Sequence, residues 1–234
     1  MSSTLLARRF TTSVAKELVV GLTGIALVTF VLGHLVGNVL LLVGPDVFNA
    51  YAARLHALGE LLWAARVFLV VCFIAHIGTA ISLALENTSA RGPVRYEYER
   101  TASRKTFASR MMRISGVLIL LFVLLHVYDF TITGDREGPR SFVDGMGEES
   151  MGLYGVVFNS FGNPVRSLLY IICCVFVGIH LTHALASIAV TLGFLTDRDT
   201  GKAELVAKAI GIGVAAGFSF IPLYVLARTY IIGV

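Results

Sequence analysis

Five stretches of this chain, residues 18–43, 61–85, 114–132, 165–195 and 205–232, are almost continuously apolar. Each is near or above the ~20 residues with which a helix crosses ~30 Å of hydrocarbon. Inside lipid every backbone N–H and C=O must find its partner within the protein, which leaves helices or a closed barrel. A barrel would show ~10-residue stretches of alternating polarity, and these stretches do not alternate. The chain therefore reads as an all-α membrane protein, with five transmembrane helices forming one bundle and one domain over residues 1–234. With only 15% of residues charged and 56% hydrophobic, it lacks the polar surface of a water-soluble domain.

The basic residues set the orientation. With five spans the termini lie on opposite sides, so the N-terminal tail and the loops at 86–113 and 196–208 share one side, and they hold thirteen of the nineteen Lys and Arg. That side is expected to face the cytoplasm, which puts the C-terminus outside. The other side carries the acidic loop 133–163, with Asp135, Glu137, Asp144, Glu148 and Glu149. The pI of about 9.1 is thus a topology signal and not a nucleic-acid surface. The dense arginines from Arg91 to Arg113 form a cationic platform suited to membrane lipid headgroups or an acidic partner. The first apolar stretch is too long for a signal-peptide core and lacks a small-residue cleavage site, so it is expected to stay as the first helix. Cys72, Cys173 and Cys174 all fall inside spans and offer no disulfide framework, haem-attachment motif or zinc spacing.

Four histidines, His34, His76, His126 and His180, each lie in a different apolar stretch. One intramembrane histidine commonly just hydrogen-bonds a neighbouring carbonyl, but four on four helices suggest a prosthetic group. Depth pairs them. His34 lies ten residues before Gly44 and His126 three before Asp129, so both belong to the outer half. His76 precedes Glu86 by ten residues, roughly 15 Å from the inner end. His180 sits near the middle of a long stretch, and pairing it with His76 leaves one outer and one inner site. Two imidazoles facing each other can hold a haem iron with no open position, which suits electron transfer. A bare metal ion would recruit carboxylates or cysteines as well. His183 is three residues from His180 on nearly the same face; it could replace His180, donate to a propionate, or face another helix.

The remaining features are supportive. Gly33 and Gly37 flank His34 and clear bulk from that face for a helix or a flat ligand. Pro45 and Asp46 suggest a turn and cap for a short interfacial helix reaching toward Glu60, a roof over the outer side. In the last stretch Gly213 to Gly217 reads as a packing face, and Pro222 is expected to bend it. No internal repeat, phosphate-binding glycine loop or nucleophilic triad stands out.

Taken in order, Gly33-His34-Leu35-Val36-Gly37-Asn38, Phe48-Asn49-Ala50-Tyr51, Ser109-Arg110-Met111-Met112-Arg113 through Gly116 to His126, and His180-Leu181-Thr182-His183-Ala184 resemble the diheme cytochrome b subunit of succinate:quinone oxidoreductases and fumarate reductases. The type resembled is the five-helix one, in which a single polypeptide anchors the complex, and the resemblance covers nearly the whole chain. It implies two haem b groups, the distal one on His34 and His126 and the proximal one on His76 and His180, with His180 favoured over His183. It also implies a bacterial or archaeal cytoplasmic membrane and two cytoplasmic partners: a flavoprotein subunit with covalent FAD and a subunit with iron–sulfur clusters. Electrons from succinate would pass through the inner and then the outer haem to menaquinone or another quinone. This chain itself contains no dicarboxylate site.

Reducing a quinone consumes two protons near the outer surface, and His56 and Glu60 on the roof segment are the candidate donors. Some fumarate reductases of this type have a glutamate two residues before the ligand in the fourth helix; here that place is Gly178, which puts that proton pathway in doubt. Charge crossing the whole membrane would couple the reaction to the potential at about 2.3 kcal/mol per charge per 100 mV. A hydrogenase or formate dehydrogenase cytochrome b matches these clusters poorly. A transporter with a histidine proton relay would show broken helices and inverted halves, and neither is visible.

Overall fold

The computed structural model describes residues 12–90, 107–132, 152–193 and 200–232. Among these there is no strand, and nearly every residue is helical. Helix α1 spans Ser13–Val39 and tightens into a 3-10 turn at Leu40–Leu42; α2 is Pro45–His56 and α3 is Glu60–Ala90. Helix α4, Phe107–Val127, continues as a π-helical turn at Tyr128–Ile132. Then come α5 (Leu153–Phe161), α6 (Pro164–Thr191) and α7 (Thr200–Ala227), the last running on through a π turn at Arg228–Ile232. Five of these, α1, α3, α4, α6 and α7, are long and apolar enough to cross a membrane, so the chain is a multi-pass membrane protein.

Local chemistry starts and stops the helices. The Thr12 hydroxyl accepts from the Ala15 N–H and caps α1. Asn163 caps α6, its Oδ1 accepting from Val165 and Arg166, with Pro164 at the first helical position, where a missing N–H costs nothing. The cap of α2 is Gly44, with φ of 140°, and not Asp46. Pro45 supplies the pre-set first helical residue, and Asp46 falls in the first turn. Pro222 lies inside α7, which continues past it.

The expected outer loop 133–163 contains α5. Its Tyr154, Val157, Phe158 and Phe161 are all buried, one face of a helix at i, i+3, i+4 and i+7. With Leu41, Phe48, Tyr170, Ile221 and Val225 they form an apolar core at the end of the bundle that the basic residues predict to be the outer one. Here α2 and α5 meet: Asn49 Oδ1 accepts the Tyr154 N–H at 3.0 Å, and a side chain on Gly152 would strike the Asn49 amide. Burial and the neighbouring Tyr224 push the Tyr154 phenol up to about 12, so it stays neutral at physiological pH. The N-terminal tail, the basic stretch 91–106 and the acidic stretch 133–151 lie outside the described residues.

Among the spans α6 and α7 share the most extensive interface. It closes on Gly211 and on Ala215 of the expected stretch Gly213 to Gly217, whose Gly217 lies against Leu35 of α1. A Cβ on Gly178 would lie 2.5 Å from the Gly211 carbonyl oxygen and 2.7 Å from the Ala215 Cβ, whereas one on Gly213 would meet nothing within 4 Å. Elsewhere α1 packs on α3 and α4 on α6. At the inner end Lys16 ties α1 to α3 through Ser82, at 2.8 Å, and Glu86. Two helix groups thus face each other, α1 with α3 and α4 with α6 and α7, and each histidine pair takes one ring from each group.

Candidate functional site

In the inner pair both rings are held by the same nitrogen. His76 Nδ1 lies 3.2 Å from the Val20 carbonyl and 3.2 Å from Thr23 Oγ1. A carbonyl only accepts, so Nδ1 carries the proton and Nε2 keeps its lone pair. His180 Nδ1 lies 3.1 Å from Ser115 Oγ, which also lies 3.1 Å from the Met112 carbonyl. A serine that donates to that carbonyl accepts from Nδ1–H, which is the tautomer with Nε2 of His180 as the lone-pair nitrogen. The two histidines are within electrostatic reach of each other. Gly24 sits against His76, where a Cβ would come within 3.4 Å of Cε1, and Gly116 sits beside His180 at 3.8 Å from its Cε1. Gly21, one turn inward on α1, is buried, yet a Cβ there would meet nothing within 4 Å, which leaves room beside the pair.

The outer pair is assembled differently. The His34 and His126 rings have centroids 5.7 Å apart with planes at 84°, close enough for one metal between nitrogens at bond lengths of about 2 Å. Aromatic rings surround them: Phe30 stacks on His34 and Phe218 of α7 tilts against it, while Phe122, Phe130 and Tyr170 flank His126. Asn38 donates from Nδ2 to the His34 carbonyl at 2.8 Å and faces His34 Nε2 at 3.3 Å. That amide already engages the lone pair a metal would use. His126 Nδ1 is buried with no hydrogen-bond partner among the described residues. Above the pair, Gly37 lets the Tyr51 ring of the roof lie directly on α1, where a Cβ would overlap it, while the Gly33 side faces open space.

His183 Nε2 faces Ser187 Oγ at 3.2 Å, a contact along its own helix. His56, on the exposed end of α2, has its Nδ1 3.1 Å from the Ala52 carbonyl, and Glu60 is exposed at the start of α3. Among the described residues no hydrogen bond or ion pair joins either one to the outer histidines.

Three features were not anticipated from the sequence. The first is a polar group beside the outer pair. Asp129, 5% exposed, accepts the Tyr170 hydroxyl at 2.7 Å and lies 3.5 Å from the Arg166 guanidinium. Tyr170 in turn packs edge-on against Phe122, which leans on His126. Asp129→Ala removes the acceptor from a buried phenol, a loss of about 1–3 kcal/mol. The expected result is a lower unfolding temperature in detergent, and an unchanged one would show that the contact does not support the outer end. The second is the pair of hydroxyl anchors, Thr23 and Ser115. The third is a short repeat that composition hides: Thr23-Gly24 precedes His34, and Ser115-Gly116 precedes His126, with nine residues between glycine and histidine in both helices. Eleven residues make three turns and about 16 Å of rise, so each helix carries an inner hydroxyl and an outer imidazole on one stripe.

The donor sets fit haem iron. Each pair brings two imidazoles from opposing helices, and among the described residues no group of three or more His, Cys, Asp or Glu could hold a bare metal ion. In comparisons with known proteins, a family model described as succinate dehydrogenase/fumarate reductase transmembrane subunit matches residues 86–219. The matched segment contains His126 and His180, one member of each pair, and both Ser115 and Asp129. No curated protein and no solved structure matches the chain.

Proposed function

Because the chain belongs to the succinate dehydrogenase/fumarate reductase transmembrane-subunit family, we propose that it is the diheme cytochrome b anchor of such a complex. It lies as one unit in a bacterial or archaeal cytoplasmic membrane with its N-terminus inside. The observation that carries this reading is the inner pair, His76 and His180, on opposing helices and each engaged by its neighbours at Nδ1, the nitrogen that leaves Nε2 for a ligand. His34 and His126 hold the outer group. Haem b bound between two imidazoles supplies one-electron transfer and leaves no site for oxygen.

The protein's own residues supply the rest. The apolar spans surround the histidines, and the aromatic rings packed on His34 and His126 give the outer pair an apolar setting. The basic inner segment, with Arg113 at its membrane edge, docks the iron–sulfur and flavoprotein subunits, which hold the clusters and FAD. A menaquinone or another quinone is handled under the roof formed by α2 and α5, and His56 and Glu60, exposed at its rim, exchange protons with it.

The test is made on the complex with its two partner subunits. Succinate is expected to reduce the haem of the membrane subunit, followed by its absorbance, and added quinone to reoxidise it. Failure of succinate to reduce the haem in an intact, flavin-loaded complex contradicts the proposal. His56→Ala or Glu60→Gln is expected to slow quinone reduction severalfold with haem content unchanged. Full rates in both variants remove these two residues as proton donors.

A further inference from the structure

We propose that Ser115 is a positioning residue which, like the Val20 carbonyl with Thr23 beside it at the opposing ring, holds an inner histidine in the tautomer that presents the Nε2 lone pair, so that the inner site is formed before any prosthetic group arrives. This rests on the haem-binding reading above and adds to it an asymmetry between the two sites.

The inference follows from which nitrogen each neighbour can engage. A neutral imidazole has one N–H and one lone pair, and a metal takes the lone pair. At His180 the fully buried Ser115 hydroxyl lies 3.1 Å from both the Met112 carbonyl and Nδ1, and in the proposed arrangement it donates to the carbonyl and accepts from an Nδ1–H. At His76 the Val20 carbonyl imposes the same choice, and Thr23, whose proton goes to the Val19 carbonyl at 2.6 Å, accepts beside it. Both rings thus present Nε2 as the lone-pair nitrogen. The glycines that follow the two hydroxyl residues keep bulk off the same rings.

The outer rings are not prepared in this way. The His34 Nε2 lone pair faces the Asn38 amide, and His126 Nδ1 has no hydrogen-bond partner among the described residues. Ligation through Nε2 at His34 requires that amide to turn away first. The repeat on α1 and α4 therefore has two jobs separated by three turns, with an outer imidazole that binds and an inner hydroxyl that orients. Hydrogen bonding from Nδ1–H also makes Nε2 more basic and favours the ferric state, and loss of such a partner typically weakens metal binding about 10–100-fold.

The test begins with haem-free full-length protein labelled with 15N-histidine, in which nitrogen shifts distinguish the tautomers. His76 and His180 are expected to carry the proton on Nδ1, and a proton on Nε2 in either ring overturns the proposal. In the haem-loaded protein Ser115→Ala is expected to bind inner haem at least about tenfold more weakly. Its inner midpoint potential moves positive and its inner low-spin electron paramagnetic resonance signal shifts, while the outer haem is unchanged. Thr23→Val, which leaves the Val20 carbonyl in place, is expected to change these readouts much less. Unaltered inner haem affinity, potential and signal in Ser115→Ala also overturn the assignment. Should Ser115→Ala not accumulate, the tautomer measurement on the unaltered protein decides. That measurement needs no haem, so it stands apart from the haem-binding reading, which fails separately if the unaltered protein takes up none.

Discussion

The His180→Ala protein is expected to keep one haem, the outer, and to lose the inner. In the proposed arrangement this removes one of two iron ligands, and no nearby side chain is placed to replace it. His183 is one turn away on α6, but its Nε2 faces Ser187 at 3.2 Å along the same helix. The Ser115 hydroxyl, left without its imidazole, stays bonded to Met112 and is no ligand. His76→Ala gives the same loss. His34→Ala or His126→Ala gives the reverse, because those rings meet each other at 5.7 Å and belong to the other pair. Haem per chain and the difference spectrum read all four variants. Two haems retained in His180→Ala would transfer the ligand role to His183.

Gly178→Glu is expected to abolish assembly of the bundle. The α6 and α7 backbones cross with Gly178 against Gly211, so that a Cβ would sit 2.5 Å from a carbonyl oxygen that cannot move without its helix. Thr182, which donates to the Gly178 carbonyl at 2.9 Å, would be displaced too, since it already lies against Gly211. Even Gly178→Ala should reach or exceed the upper end of the roughly 1–3 kcal/mol that overpacking costs, and close small-residue contact is what holds membrane helices together. A glutamate adds an ionisable group at the same crossing. This accounts physically for the glycine where some fumarate reductases of the resembled type carry a glutamate. The expected readout is loss of monodisperse protein in detergent for Gly178→Glu and a lowered melting temperature for Gly178→Ala. A glutamate variant that folds normally would mean the two helices stand further apart than described here.

The spans were legible because lipid tolerates so few alternatives: a long apolar stretch has to be a helix, and counting residues along it gives depth. Depth alone put His34 beside His126, and the fold brings those two rings together. The roof helix was legible from Pro45 and the mixed polarity that follows. Helix α5 also had a readable pattern, in the spacing of Tyr154, Val157, Phe158 and Phe161, but the acidic residues upstream made the whole stretch look like a loop. Thr23 and Ser115 were harder. A hydroxyl inside an apolar helix can satisfy itself on the preceding turn, as both partly do, and nothing in the sequence says which ring lies across from it. Only the spacing to His34 and His126, equal in the two helices, carries the signal, and it gains meaning once the opposing rings are seen. Likewise Gly213 looks as suitable for packing as Gly211, until the rotation of α7 turns Gly211 and Ala215 toward α6 and Gly217 toward Leu35 of α1.

The most direct test of the central claim is haem content. A pyridine haemochrome assay on the purified, folded protein, supplied with ample haem during expression, is expected to give two b-type haems per chain, with a reduced-minus-oxidised spectrum to match. No haem in such protein would contradict the cytochrome reading and leave the four intramembrane histidines to another role.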